Sequence, residues 1–386
     1  MKMKKWLLCS VMFLGLFVGI ANFNVVDASS DEELLVKTSK IPQEIDEFAK
    51  KDFGNLLSAT LFLEGANTKT SEYELGSSFA MFDGENVENS TIFFPIFLNR
   101  RVEFLYSVRN DVVTGYTSSV SRFLIKEIND ILDSAIGEPV SFHVKDSDIY
   151  FKLNDKIKKI YSAPKENTDE NQSSDDIIVE ENDLEIKNVS EHIDYEIQPN
   201  LEKAKVTRST VSTASNYAMI NWSIRETQST FPWCAAYVTA AILNNKVDSR
   251  PTLARDILNY TFPKFSVAQK EATGVSQDQL LNYGRARGTN PIRTGSMLSH
   301  ATVERELRKG NAIYMGTEGY SHSNSKLHKS RHAFALYGWV NSDKIRTYYL
   351  WNPWWNYPMV VQANNYPITI PVPEGVYIWD SSIYNW

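Results

Sequence analysis

The stretch Phe231-Pro232-Trp233-Cys234-Ala235-Ala236-Tyr237 decides how this chain reads. Proline is tolerated at a helix start, where its missing N–H would have no intrahelical partner. Residues 235–244 continue in helical spacing, so the pattern predicts a helix that begins at Cys234. A helix start presents unsatisfied N–H groups and the positive end of the dipole, and both favour a thiolate. The plain alternative is a buried cysteine that fills space as a small apolar side chain. The rest of the chain has to decide.

Downstream, His332 opens the apolar run Ala333-Phe334-Ala335-Leu336-Tyr337-Gly338-Trp339, which predicts a strand. Twenty residues after His332 stands Asn352, within Trp351-Asn352-Pro353-Trp354. Other strand-like runs are 311–315, 347–351 and 376–379. Helices first and strands later predict an α+β domain. Hydrolysis by a thiol needs a thiolate, a base, an orienter for that base and donors for the oxyanion. An Asn amide accepts the imidazole N–H and fixes its tautomer, and an indole such as that of Trp354 over the bond excludes water. Gln228 lies six residues before Cys234 and offers an amide to an oxyanion hole.

Gln-(x5)-Cys at a helix start, a later His on a strand and then Asn-x-Trp resembles the papain-like cysteine peptidases. The Pro-Trp-Cys-Ala-Ala-Tyr, His-Ala-Phe-Ala and Trp-Asn-Pro-Trp motifs look specifically like the staphopains of Gram-positive bacteria. That resemblance covers roughly 206–386 at motif level. It implies a papain-like catalytic domain with a helical half and a β-barrel-like half, preceded by a signal peptide and a small α+β propeptide domain. Carried over position by position, it makes Cys234 the nucleophile, His332 the general base and acid, Asn352 the orienter, Gln228 the oxyanion donor and Trp354 the shield. The chain departs from papain in Pro232-Trp233 before the cysteine, in Arg331 before the histidine and in lacking disulfides; these differences bear on substrate preference more than on chemistry.

Upstream, the organisation follows composition. The net charge of -7 hides an asymmetry: residues 206–386 hold 18 Lys+Arg against 11 Asp+Glu, whereas 1–205 hold 22 against 36. Opposite charge on two parts of one chain predicts a salt-sensitive attraction between them. Residues 165–205 are acidic and rich in Asn, Gln and Ser, and read as a linker with too little apolar surface to fold. Lys203, Lys205 and Arg208 offer basic sites for an activating cut between Glu202 and Ser209. Residues 29–164 read as an α+β domain that docks over the cleft as an intramolecular inhibitor. Its expected strands are 60–63, 91–94 and 102–106, with a helix over 123–132 and a hairpin from 140–144 and 149–153. Lone His143 lies in an alternating strand and reads as structural. Lys2, Lys4 and Lys5 precede an apolar run of about 15 residues and Val26-Asp27-Ala28, the layout of a secretory signal peptide over 1–28. That run is short for a bilayer span of roughly 20 residues, so the chain is expected outside the cell with no stable membrane anchor. Cys9 lies inside it, which leaves the mature chain one thiol, Cys234.

Competing readings are weaker. His322, His328 and His332 cluster, and His328-Lys329-Ser330-Arg331-His332 has metallopeptidase spacing, but it lacks the Glu that would act as base. No metal is expected, and without a P-loop or dinucleotide fingerprint no cofactor is expected either. The Lys and Arg of 206–386 are scattered apart from Arg285/Arg287/Arg293 and Arg305/Arg308/Lys309, and the second set follows Val303-Glu304 in a helix and reads as a solvated face, which argues against nucleic acid. A thiol amidase that cuts cell-wall peptides is the closest rival. Asn352-Pro353-Trp354 and Gln228 favour protein or peptide substrates.

Overall fold

Helix α1 (Gln43–Leu63) forms because apolar residues recur at helical period, with Ile45, Ala49, Phe53, Leu56, Leu57 and Leu61 all buried. The tetrapeptide Thr60-Leu61-Phe62-Leu63, expected as a strand, is its last turn. There Thr60 Oγ1 donates to the Leu56 carbonyl oxygen at 2.9 Å and Leu61 faces the core. Four residues of β-rich composition do not outweigh a 21-residue helix with one continuous buried face. The computed structural model describes residues 35–36, 42–76, 78–80, 91–111, 115–134, 139–145, 148–153, 156–162, 202–203, 216–246, 251–321, 329–341, 345–372 and 375–386. The expected signal segment 1–28, all of 165–205 except 202–203, and the residues His322 and His328 lie outside them.

After α1 come four antiparallel strands, β1 (Tyr73–Leu75), β2 (Ile92–Leu98), β3 (Arg101–Asp111) and β4 (Gly115–Ser121). Helix α2 (Ile125–Ser134) follows close to its expected place, and its Asn129 side chain exchanges two hydrogen bonds with the Val102 backbone. A separate small sheet contains the expected hairpin, Pro139–Lys145 against Asp148–Leu153, extended by Lys156–Ser162.

The C-terminal part begins with helices α3 (Cys234–Lys246), α4 (Ala254–Thr261), α5 (Val267–Glu271), α6 (Gln277–Ala286) and α7 (His300–Arg308). Strands β5 (Ile313–Ser321), β6 (Lys329–Asn341), β7 (Arg346–Trp351), β8 (Pro358–Gln362) and β9 (Gly375–Tyr384) follow, as an α+β order requires. Every residue of α3 from Ala235 to Leu243 is buried, the mark of a central helix. Along β6 the side chains alternate between two cores. Ala333, Ala335 and Tyr337 join the core that contains α3, while Phe334 and Leu336 join the core on the other face.

The long strands form one sheet in the order β1-β2-β3-β4-β8-β7-β6-β5-β9. The N-terminal and C-terminal parts therefore meet inside a sheet, where Ser119, Val120 and Ser121 of β4 pair antiparallel with Val361, Val360 and Met359 of β8. Side chains reinforce the seam. Thr117 Oγ1 donates to the Thr369 carbonyl oxygen at 2.9 Å, Asn365 Nδ2 to that of Tyr116 at 3.0 Å, and the Tyr349 hydroxyl to that of Ala59. The Phe62 ring meets Tyr217 edge-on, and Phe123 lies 5.3 Å from Trp355 between centroids.

Leu56 sits fully buried where α1 covers this sheet. Leu56→Ala should destabilise the protein by about 2–5 kcal/mol, the usual range for a buried leucine truncation. The measurement is a lower denaturant midpoint at unchanged slope; a shift within error would show that α1 is not part of the core.

Candidate active site

The site is assembled from a helix start, a strand and a turn. Cys234 is the first residue of α3 and is half-buried. The segment before it is held by its aromatic side chains: the Trp233 indole N–H donates to the Lys270 carbonyl oxygen at 2.9 Å, and the Phe231 and Trp233 rings pack 4.7 Å apart. The Gln228 backbone N–H donates to the Pro353 carbonyl oxygen at 2.7 Å, which clamps this segment to the turn that carries Asn352.

His332 is buried in the middle of β6, opposite Thr317 of β5. Thr317 Oγ1 donates to the His332 carbonyl oxygen at 3.0 Å and fixes the backbone there. The ring is oriented by Asn352, which is fully buried. His332 Nε2–H donates to Asn352 Oδ1 at 3.0 Å, and the Trp354 backbone N–H donates to the same oxygen at 3.1 Å. Because a backbone amide can only donate, the second bond sets which end of the Asn352 amide faces His332. That in turn assigns the imidazole proton to Nε2 and gives Nδ1 the lone pair. The Trp354 indole stacks on the imidazole, 3.9 Å between centroids at 23°. The Phe334 and Tyr377 rings close two more sides at 4.9 and 5.3 Å. The imidazole bond to Asn352 is thus walled off from water.

Gln228 is buried, and its Nε2 spends one of its two hydrogens on the Phe231 carbonyl oxygen at 2.8 Å. Sequence reasoning missed the strand residues that face α3. Tyr314 of β5 belongs to the core against which Cys234 packs, and its hydroxyl is pushed well up by burial first and then by the charge of Cys234. Gln277 at the start of α6 donates to Ser381 Oγ at 2.8 Å, and Arg331 reaches Asp380 at 2.8 Å. A bulge makes this possible: Gly316 pairs with Ser381 but Thr317 with Trp379, so Asp380 is the extra residue of β9. A Cβ on Gly316 would lie 2.2 Å from Ser381 Oγ, so any other residue there would have to displace the Ser381 side chain. A bulge and a close approach leave no trace in hydrophobic period, and only the glycine itself was a signal. Among the described residues, no group of three or more His, Cys, Asp or Glu side chains is placed to hold a metal.

Comparison with known proteins agrees over both parts of the chain. The staphopain peptidase C47 family profile matches residues 213–386, and the staphopain proregion profile matches residues 31–193. Staphopain B of Staphylococcus aureus is 22% identical over 360 residues, which is 89% of this chain and 87% of that protein. Staphopain B of Staphylococcus aureus strains MSSA476 and N315 is likewise 22% identical, over 361 residues and the same shares of each chain. Nothing in these matches favours a cell-wall amidase. With a proregion ahead of a peptidase region, the chain belongs to the staphopain family of cysteine peptidases.

Proposed function

We propose that this chain is a secreted endopeptidase precursor with a papain-like catalytic domain, in which Cys234 attacks peptide carbonyls. The observation that carries the reading is the His332–Asn352–Trp354 arrangement, a buried imidazole with its tautomer set and its Nδ1 turned to proton transfer. The helical half would be built from α3 to α7, and the barrel-like half from β5 to β9. In the first step Cys234 Sγ bonds to the carbonyl carbon, and the oxyanion takes hydrogen bonds from the Cys234 backbone N–H and the second Gln228 Nε2 hydrogen. His332 gives the proton on Nδ1 to the leaving amine as the C–N bond breaks. Water then attacks the thioester, with His332 as base, and frees the acid and the thiol.

We assign 1–28 to a signal peptide, 29–164 to the propeptide domain, 165–205 to a linker and 206–386 to the peptidase. Inhibition by the propeptide domain is supported by the seam in the sheet: β8 is joined to the turn of Asn352 by only a few residues, and Phe123 packs on Trp355, next to the Trp354 that covers His332. The two family profiles leave residues 194–212 unmatched, which supports an activating cut between Glu202 and Ser209. Glu202–Lys203 pairs with Leu75 and Glu74, which leaves Lys205 and Arg208 as the basic residues beyond the pairing. N-terminal sequencing of the active form should begin between 206 and 209; a start upstream of 203 would refute this placement.

Cys234→Ala should reduce peptide hydrolysis to background with the fold retained, and His332→Ala should cost the ~10²–10⁴-fold of a general acid–base. Gln228→Ala should lower kcat by roughly 10²–10³-fold, the loss of one oxyanion donor. Substantial turnover by folded Cys234→Ala would end the proposal. Activity should be bell-shaped in pH, because the proposed chemistry needs a deprotonated nucleophile and a protonated acid at once. A steady rise with pH, with no alkaline limb, would show that His332 does not act as the acid.

A further inference from the structure

Asp52, on the buried face of α1, is a carboxylate with almost no contact with water. Three donors converge on it from the three strands that α1 covers. The Tyr106 hydroxyl of β3 donates to Oδ2 at 2.9 Å, Ser118 Oγ of β4 to the same oxygen at 2.7 Å, and Gln362 Nε2 of β8 to Oδ1 at 3.2 Å. The first two belong to the proregion, and Gln362 belongs to the peptidase region. Tyr106 is the one titratable group of the three, and burial together with Asp52 pushes its hydroxyl well up, so it stays protonated as a donor. Burial pushes Asp52 itself up, opposed by the bonds from Ser118 and Tyr106.

A buried acid is costly unless its donors are all in place. Tyr106 and Ser118 hold one carboxylate oxygen within the proregion; the other is held across the seam, one residue beyond the last strand pair, Val361 with Ser119. Separating the two regions would leave Oδ1 without that donor.

We propose that Asp52 is the latch of the zymogen: its bond to Gln362 ties the core of the proregion to the edge strand of the peptidase, so the two regions stay together after the linker is cut. Cutting the chain is then not sufficient for release, which requires breaking this contact or degrading the proregion. The proposal rests on the inhibitory reading above, but association and inhibition are separate measurements.

The test uses the full chain with a specific protease sequence placed between residues 165 and 200. Association is followed by size-exclusion chromatography in a Cys234→Ala background, so activity plays no part in it. After the cut, the wild-type Gln362 form should co-elute as one complex. Changing Asp52 risks unfolding the proregion, so the substitutions are made on the peptidase side. Gln362→Ala removes the donor and should weaken the complex about tenfold or more. Gln362→Glu sets two carboxylates face to face, which should separate the pieces at neutral pH. Two adjacent carboxylates share a proton, so their affinity for it is raised in the complex relative to the separated pieces. The Gln362→Glu complex should therefore re-form on acidification and be lost again as pH rises, a response that packing damage would not give. Pieces that separate on cutting with Gln362 intact, or a Gln362→Glu complex as tight as the parent at neutral pH, would overturn the latch. The same cut made with Cys234 present reads inhibition. Co-elution with full activity would retain the latch and refute the inhibitory reading alone.

Discussion

Three backbone pairs, Ser119–Ser121 against Met359–Val361, are the constraint on which the precursor depends. They turn two structural parts into one sheet, and they fix the register of everything near the seam. Because side chains alternate faces along a strand, a slip of β8 by one residue would send Gln362 away from Asp52 and turn Val360 out of its core. The same pairing holds β8, and β8 follows directly on the turn that presents Asn352 and Trp354. The sheet that builds the precursor thus ends next to the chemistry of the peptidase.

At the site, geometry is set mainly by groups that take no part in bond making. The Trp354 backbone amide chooses the orientation of Asn352, Asn352 chooses the tautomer of His332, and Thr317 holds the strand on which His332 rides. The donor is fixed at the Trp354 backbone amide, and the direction of the His332–Asn352 bond follows from it. The clamp from Gln228 to Pro353 joins this assembly to the segment that ends in Cys234. The two sides of the site are therefore positioned against each other by the backbone as well as by side chains.

The candidate site residues were legible in the sequence because they lie in strongly patterned surroundings, and the structure joins His332, Asn352 and Trp354. Cys234 heads an apolar helix, His332 sits at the head of an apolar strand run, and Asn352 lies between tryptophans. The elements that went unread are those in which polar residues are buried. Strand Gly115–Ser121 reads Gly-Tyr-Thr-Ser-Ser-Val-Ser, with no alternation to reveal it, yet Thr117, Ser118 and Ser119 are all buried. Their hydroxyls are matched to a carbonyl, a carboxylate and another hydroxyl from distant parts of the chain. Partners so far away in sequence cannot be found by periodicity. The opposite error, a strand expected over 60–63, arose because four β-rich residues were weighed without the helical period that precedes them.

Pro358–Gln362 is an inner strand of the precursor, but with the proregion gone it becomes a sheet border. A bare border offers a row of unpaired N–H and C=O groups to any other extended chain, which is the ordinary route to self-association. This border is only five residues long, and it opens with a proline that has no N–H to offer. Those two properties are of little use while the strand is covered. They become useful in the processed peptidase, where they limit how far a foreign chain can zip onto the sheet. The strand is thus shaped for two lives: long enough to seat its own proregion, and short and blunted enough to be left open once that partner is gone.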